Sequence, residues 1–191
     1  SEFAATCFMA IMQGIDYIAG KPAAVLDAGC GHAVRTLAIR ANLGCRVVGC
    51  AYSEPMLEAA RSINEQAPEA HRIELIHGDV NALPFADSEF DVAVTYGLLM
   101  SVPQAGKAIA ELLRVVSKGL VLIEETDVVM TPDQRDSVAD VNRRVQPGRV
   151  YWHDYLKLFG RCAQFISSPL PVPASWDLGV PPGYARMLVL R

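Results

Sequence analysis

An α/β protein built on a doubly wound, mostly parallel sheet is the fold class this sequence predicts, and three observations carry that prediction. Short β-rich apolar runs alternate with helical patterns along most of the chain. The runs are apolar almost throughout, as strands covered on both faces are. Glycine, proline and Asp-containing turns separate them, so each strand feeds a helix before the next strand begins. The pattern predicts seven strands, with the last one antiparallel.

Each element has its own local reason. Phe8, Ile11, Met12, Ile15 and Ile18 recur at helical spacing, and Gly20-Lys21-Pro22 breaks that first helix. Residues 23–28 (A-A-V-L-D-A) read as a buried strand ending in the turn Gly29-Cys30-Gly31. A helix follows from Val34 to Asn42 and is closed by Leu43-Gly44. Residues 46–51 (R-V-V-G-C-A) form a second strand, and Ser53 with Pro55 is the expected start of a helix reaching Gln66. Ile73 to His77 is a third strand, Phe90 to Tyr96 a fourth and Leu120 to Glu124 a fifth, with a helix over Gln104 to Val116. A polar helix from Thr131 to Val145 and a short one from His153 to Phe159 are expected next, then strands at Phe165-Ile166 and Met187 to Leu190. No repeat or linker divides the chain, so residues 1–191 are expected to form one domain, with about 126–160 as a lid or substrate segment.

Length and composition bound the function. A chain of 191 residues, half of them hydrophobic, can bury a sizeable core. The net charge is −4, and the basic residues are scattered, with no run longer than Arg143-Arg144, so no nucleic-acid partner is expected. No apolar stretch reaches the roughly 18 residues of a membrane span, so no membrane partner is expected. The N-terminus does not read as a signal peptide. Five cysteines without a C-x-x-C pair suit reduced, small buried side chains in a cytoplasmic protein, and no metal site is expected.

In open parallel sheets, ligands bind beyond the carboxyl ends of the strands, where the strand order switches. Those ends here carry Asp27-Ala28-Gly29-Cys30-Gly31, Ala51-Tyr52-Ser53, Gly78-Asp79 and Tyr96-Gly97. The glycines let backbone N–H groups approach an anionic ligand group at a helix N-terminus. A dinucleotide site wants a third small residue three positions after the second glycine, but Val34 stands there. An acidic residue at the end of the second strand is also missing, so a nicotinamide cofactor is disfavoured.

Four blocks in order carry a resemblance. Residues 25–33 (V-L-D-A-G-C-G-H-A), 47–61 (V-V-G-C-A-Y-S-E-P-M-L-E-A-A-R), 78–93 (G-D-V-N-A-L-P-F-A-D-S-E-F-D-V-A) and 111–125 (E-L-L-R-V-V-S-K-G-L-V-L-I-E-E) resemble the motifs of Rossmann-like class I S-adenosylmethionine-dependent methyltransferases. The branch most similar in flavour methylates small molecules. The resemblance implies S-adenosylmethionine as cofactor, with S-adenosylhomocysteine as product. It implies that Asp27 orients the methionine end, that backbone around Gly29, Cys30 and Gly31 contacts the amino-carboxylate, and that Asp79, with Val80 beside it, accepts from the adenine amino group. Tyr96 and Gly97 would supply backbone near the methionine moiety.

Three positions depart from the family pattern. Ala51 stands where the family usually carries the carboxylate that holds the two ribose hydroxyls. Such a charge-assisted contact contributes roughly 2–3 kcal/mol, and its loss weakens a ligand by about one to two orders of magnitude. Tyr52 or Ser53 is the candidate to compensate. Ala33 replaces a third glycine, a mild change, and Ser117-Lys118-Gly119 replaces the usual turn before the fifth strand.

Methyl transfer needs mainly alignment, because the sulfonium is already activated. A base is required only where the acceptor holds its proton. His153, in the cluster Tyr151-Trp152-His153-Asp154, and Glu125 at the end of the fifth strand are the candidate catalytic residues, and His32 belongs to the cofactor turn. Trp152, Tyr155, Phe159 and Trp176 would either line an apolar substrate pocket or pack the lid. The expected activity is methyl transfer to a small, partly apolar molecule. The alternative, resting on Ala51, is a methyltransferase-like binding or partner subunit, or a domain using a modified cofactor. A homodimer is compatible with the sequence.

Overall fold

A computed structural model describes residues 2–125, 153, 158, 163–166 and 185–190. Helix α1 (Glu2–Ala19) leads into β1 (Ala24–Ala28), α2 (Val34–Leu43), β2 (Arg46–Ala51), α3 (Glu54–Gln66), β3 (Glu74–His77) and β4 (Phe90–Tyr96). Helix α4 (Ala105–Val115) and β5 (Val116–Glu125) follow, and β6 (Ala163–Ile166) and β7 (Ala185–Leu190) close the sheet. The strand order is β3-β2-β1-β4-β5-β7-β6. Strands β1 to β5 pair in parallel, and β7 runs antiparallel to both β5 and β6. The order reverses between β1 and β4, which makes the mouth above those two strands the ligand position of an open sheet.

Alternation along the strands divides the core into two layers. Val25, Val47, Val92, Val94, Val121 and Ile123 face one side and pack with Ile11, Ile15, Ile39 and Ala60 of α1, α2 and α3. Leu26, Val48, Ala93, Leu120 and Leu122 face the other and pack with Ala108, Ile109, Leu112 and Val115 of α4. Successive side chains on a strand point to opposite faces, so covering both faces forces these runs to be apolar at every position.

Several boundaries differ from expectation. Strand β5 begins at Val116, immediately after α4, so Ser117-Lys118-Gly119 lies in the strand instead of forming a turn. Short 3-10 turns at Glu69–His71 and Leu99–Ser101 carry no sequence signal strong enough to have been expected. Ser53 occupies the N-cap of α3 but makes no side-chain cap bond. Ala33 at the N-cap of α2 sits at φ 61°, in the left-handed region, and is fully buried. A non-glycine residue there costs about 1 kcal/mol or more, so the replacement of glycine is less mild than its size suggests. The expected helices over 131–145 and 153–159 and the aromatic side chains Trp152, Tyr155, Phe159 and Trp176 lie outside the described residues, apart from His153 and Leu158.

Candidate functional site

Beyond the carboxyl ends of β1, β2 and β4 lies a cavity of about 370 Å³, within the range that small-molecule pockets take. Ala28 and Gly29 form its floor, Cys50, Ala51 and Tyr52 its β2 side, Asp79, Asn81 and Leu83 its β3 side, and Leu98, Ser101 and Val102 the wall after β4. Gly29 is at φ 78°, and a β-carbon there would meet the Leu98 side chain at 2.9 Å. A β-carbon at Gly78 would sit 2.9 Å from both Cys50 Sγ and Pro84 Cδ. Both turns therefore need glycine to bring the backbone close to the cavity.

Polarity concentrates at the β3 end. Asp79 is exposed, and its Oδ1 accepts the Asn81 N–H at 2.8 Å and Asn81 Nδ2 at 2.9 Å. Among the described residues, the buried Asn81 Oδ1 has no hydrogen-bond partner. Buried polar atoms are nearly always paired, so this orphan marks an unmet acceptor beside the cavity. Burial pushes the Cys50 thiol up to about 11, with the Asp79 carboxylate adding to the effect, so the thiol is neutral near pH 7 and contributes an apolar wall.

A second cavity of about 400 Å³ lies on the α1 side of the glycine turn, lined by Cys7, Phe8, Cys30, His32, Arg35 and Tyr96 among others. The Arg35 guanidinium lies 4.8 Å from the Tyr96 ring centroid. It also donates to Asp27, at 3.0 Å to Oδ1 and 3.4 Å to Oδ2, while Thr36 Oγ1 donates to Oδ2 at 2.7 Å. Burial pulls the guanidinium down and Asp27 more than offsets it, so its net shift is upward. Burial lifts Cys7 to about 11 and Cys30 to about 12. Neither thiol is therefore a nucleophile near neutral pH.

The predicted site residues divide between these places. Gly29, Tyr52, Asp79 and Val80 line the first cavity, and Cys30 and Tyr96 line the second. Asp27 is completely buried beneath them, so its action on a ligand passes through Arg35 and the first turn of α2. Gly31, at φ 56°, shapes the turn between the cavities, and Ser53 lines neither. Glu125 closes β5, with its side chain outside the described part.

Nothing local in the chain singles out Glu124, yet it organises the wall after β4. It is fully buried and accepts Thr95 Oγ1 at 2.6 Å and the N–H groups of Leu98 at 3.2 Å and Leu99 at 3.0 Å. Burial raises its carboxyl from 4.5 to about 7, against the lowering effect of those three donors. His153 holds the same segment from the opposite polarity, with Nε2 at 3.0 Å from the Leu99 carbonyl and 2.8 Å from that of Val102. Carbonyls only accept, so this nitrogen carries the proton.

Comparison with known proteins agrees with this geometry. Residues 25–119 match the family model described as a methyltransferase domain. Demethylmenaquinone methyltransferase of Staphylococcus saprophyticus is 35% identical over 126 residues, covering 64% of this chain and 52% of that protein. The enzyme of the same name from Listeria welshimeri is 37% identical over 98 residues, covering 50% of this chain and 41% of that protein. The chain thus spans about half the length, or less, of these curated relatives. Geranyl diphosphate C-methyltransferase of Streptomyces coelicolor, solved with geranyl diphosphate and S-adenosyl-L-homocysteine, superposes with a TM-score of 0.76 at 14% identity, covering 98% of this chain and 79% of that one. A SAM-dependent methyltransferase of Methanosarcina mazei gives 0.70 at 18% identity, covering 94% and 95%. With the strand order, the glycine turn and the matched motifs in agreement, residues 25–119 are a methyltransferase domain similar to those of the class I S-adenosylmethionine-dependent enzymes.

Proposed function

We propose that this chain transfers a methyl group from S-adenosylmethionine to a small, partly apolar acceptor. The observation that carries the reading is the first cavity, where a glycine turn meets an apolar slot that ends in Asp79 and the unpartnered Asn81 Oδ1. An adenine ring suits that slot: Val80, Leu83 and Leu98 supply apolar contact, and the exposed Asp79 carboxylate accepts from its exocyclic amine. The bound cofactor would supply an activated methyl group on a sulfonium. The chain's own part is to orient it and to keep the two reacting groups in line.

The second cavity receives the methionine end and the approach of the acceptor. Its walls, Cys7, Phe8 and Tyr96, suit an apolar molecule, and the relatives named as demethylmenaquinone methyltransferases favour a ring-bearing one. Arg35 offers a buried Nε–H without a partner among the described residues, a donor for a carboxylate or a phenolic oxygen. Proton abstraction through His153 Nε2 would first have to break two hydrogen bonds to carbonyls. We therefore assign His153 to holding the wall and keep Glu125 as the candidate base for an acceptor that carries a proton.

Isothermal titration with S-adenosylmethionine and S-adenosylhomocysteine tests the reading. Micromolar binding, weakened tenfold or more in Asp79→Ala, supports it. No heat at millimolar ligand overturns it and leaves a partner-subunit role.

A further inference from the structure

A ribosyl ligand brings two adjacent hydroxyl donors, and a site that recognises them must offer acceptors. The end of β2, where this chain carries Ala51 in place of the carboxylate that the family pattern implies, forms one side of the first cavity. Each of its backbone acceptors already carries a protein donor, and none offers the charge of a carboxylate. The Cys50 carbonyl accepts from Gly29 N–H at 2.8 Å and Cys30 N–H at 3.1 Å, and that of Ala51 from Gly78 N–H at 3.1 Å. The Tyr52 carbonyl accepts from His77 Nε2 at 2.9 Å, and that of Ser53 from Leu57 N–H at 3.0 Å.

The side chains add nothing in their place. Cys50 presents a buried neutral thiol and Ala51 a methyl group. The Tyr52 ring is exposed and stacked on His77, with centroids 6.0 Å apart and planes at 29°. Ser53 does not line the cavity. Glu54, the first carboxylate after β2, is exposed and paired with Arg61 at 2.7 Å. Among the described residues, the cavity's charged acceptor, Asp79, lies at its other end beside Asn81, and the wall after β4 adds only the Ser101 hydroxyl.

We infer that this site recognises an adenosyl ligand through its base and leaves the 2′ and 3′ hydroxyls unread, so that deoxyribosyl forms of the cofactor are accepted as readily as the ribosyl form. The inference rests on the proposed adenosyl site. It predicts a specificity: discrimination among bases, indifference to the sugar hydroxyls.

The test is titration calorimetry on the purified chain with S-adenosylhomocysteine, its 2′-deoxy and 3′-deoxy analogues, and S-inosylhomocysteine. A site that hydrogen-bonds a hydroxyl rejects the analogue lacking it by tenfold or far more, because its own polar groups are left unpaired. Here both deoxy analogues bind within fivefold of the parent, while the inosyl compound, which sets a carbonyl against Asp79, loses tenfold or more. A loss above fivefold for either deoxy analogue overturns the inference and leaves methyl transfer standing. Undiminished binding of the inosyl compound overturns the placement of the base. No binding of S-adenosylhomocysteine at millimolar concentration overturns both the inference and the proposed activity.

Discussion

On the proposed reading, Ala51 leaves the sugar without a carboxylate, so restoring one there should add a contact. Ala51→Asp places an acceptor on the β2 side of the cavity and is expected to tighten S-adenosylhomocysteine about tenfold while leaving the deoxy analogues unchanged, measured by calorimetry. Equal tightening of all three would point to a general charge effect. Gly29 sets the approach of the backbone. Gly29→Ala forces a β-carbon into a left-handed position and against Leu98, which should lower stability by about 1–3 kcal/mol and weaken the ligand together. Denaturant melts with and without S-adenosylhomocysteine check both effects, and wild-type behaviour would refute the role given to the turn. Arg35 is the counter-ion of a completely buried carboxylate. Arg35→Met leaves Asp27 with only the Thr36 hydroxyl and is expected to cost about 3 kcal/mol or more. A loss below about 1 kcal/mol in urea unfolding would show that the pair contributes little.

The short segment after β4 is an element held at both ends by side chains distant in sequence. Glu124 takes its first N–H groups and His153 its carbonyls, so the cavity wall depends on β5 and on a residue more than fifty positions further along the chain. Glu124 also makes that wall sensitive to pH. Its folded carboxyl titrates at about 7 against 4.5 when unperturbed, so between those values the folded state holds a proton that the unfolded chain has released. Its stabilising contribution is present below 4.5 and is lost as pH rises through about 7. Glu124→Gln removes the titration. The difference in melting temperature between wild type and this variant should therefore shift against the wild type from pH 5 to pH 8, and a constant difference would show that the carboxyl does not titrate in that window.

At the scale of the whole molecule, the glycine turn ends a strand that both core layers pack against, so a ligand held at the strand ends should stabilise the sheet and those layers together. At a hundred times its Kd, S-adenosylhomocysteine is expected to add about 2.7 kcal/mol, a rise of roughly 5–10 °C in Tm for a chain of this size. Calorimetric scans would show it, and an unchanged Tm at saturating ligand would contradict a site built into the sheet. The strands, helices α1 to α4, the switch-point position and the Gly29 and Asp79 turns were legible in the sequence, because each rests on neighbours in the chain: periodicity, caps and turn chemistry. Partners chosen across the sheet were not. Glu124 and Glu125 are adjacent in an apolar strand covered on both faces, so nothing local tells which side chain enters the wall after β4. His153 reads as a base beside aromatic residues, but its contacts are more than fifty residues away. Asp27 reads as a ligand contact until Arg35 and Thr36 are seen around it. Periodicity, caps and turn chemistry were enough to lay out the fold and the resemblance to a family, and they pointed to the strand ends as the candidate site. Which polar groups line a cavity and which are taken up within the protein depends on hydrogen-bond partners that meet only when the chain has folded.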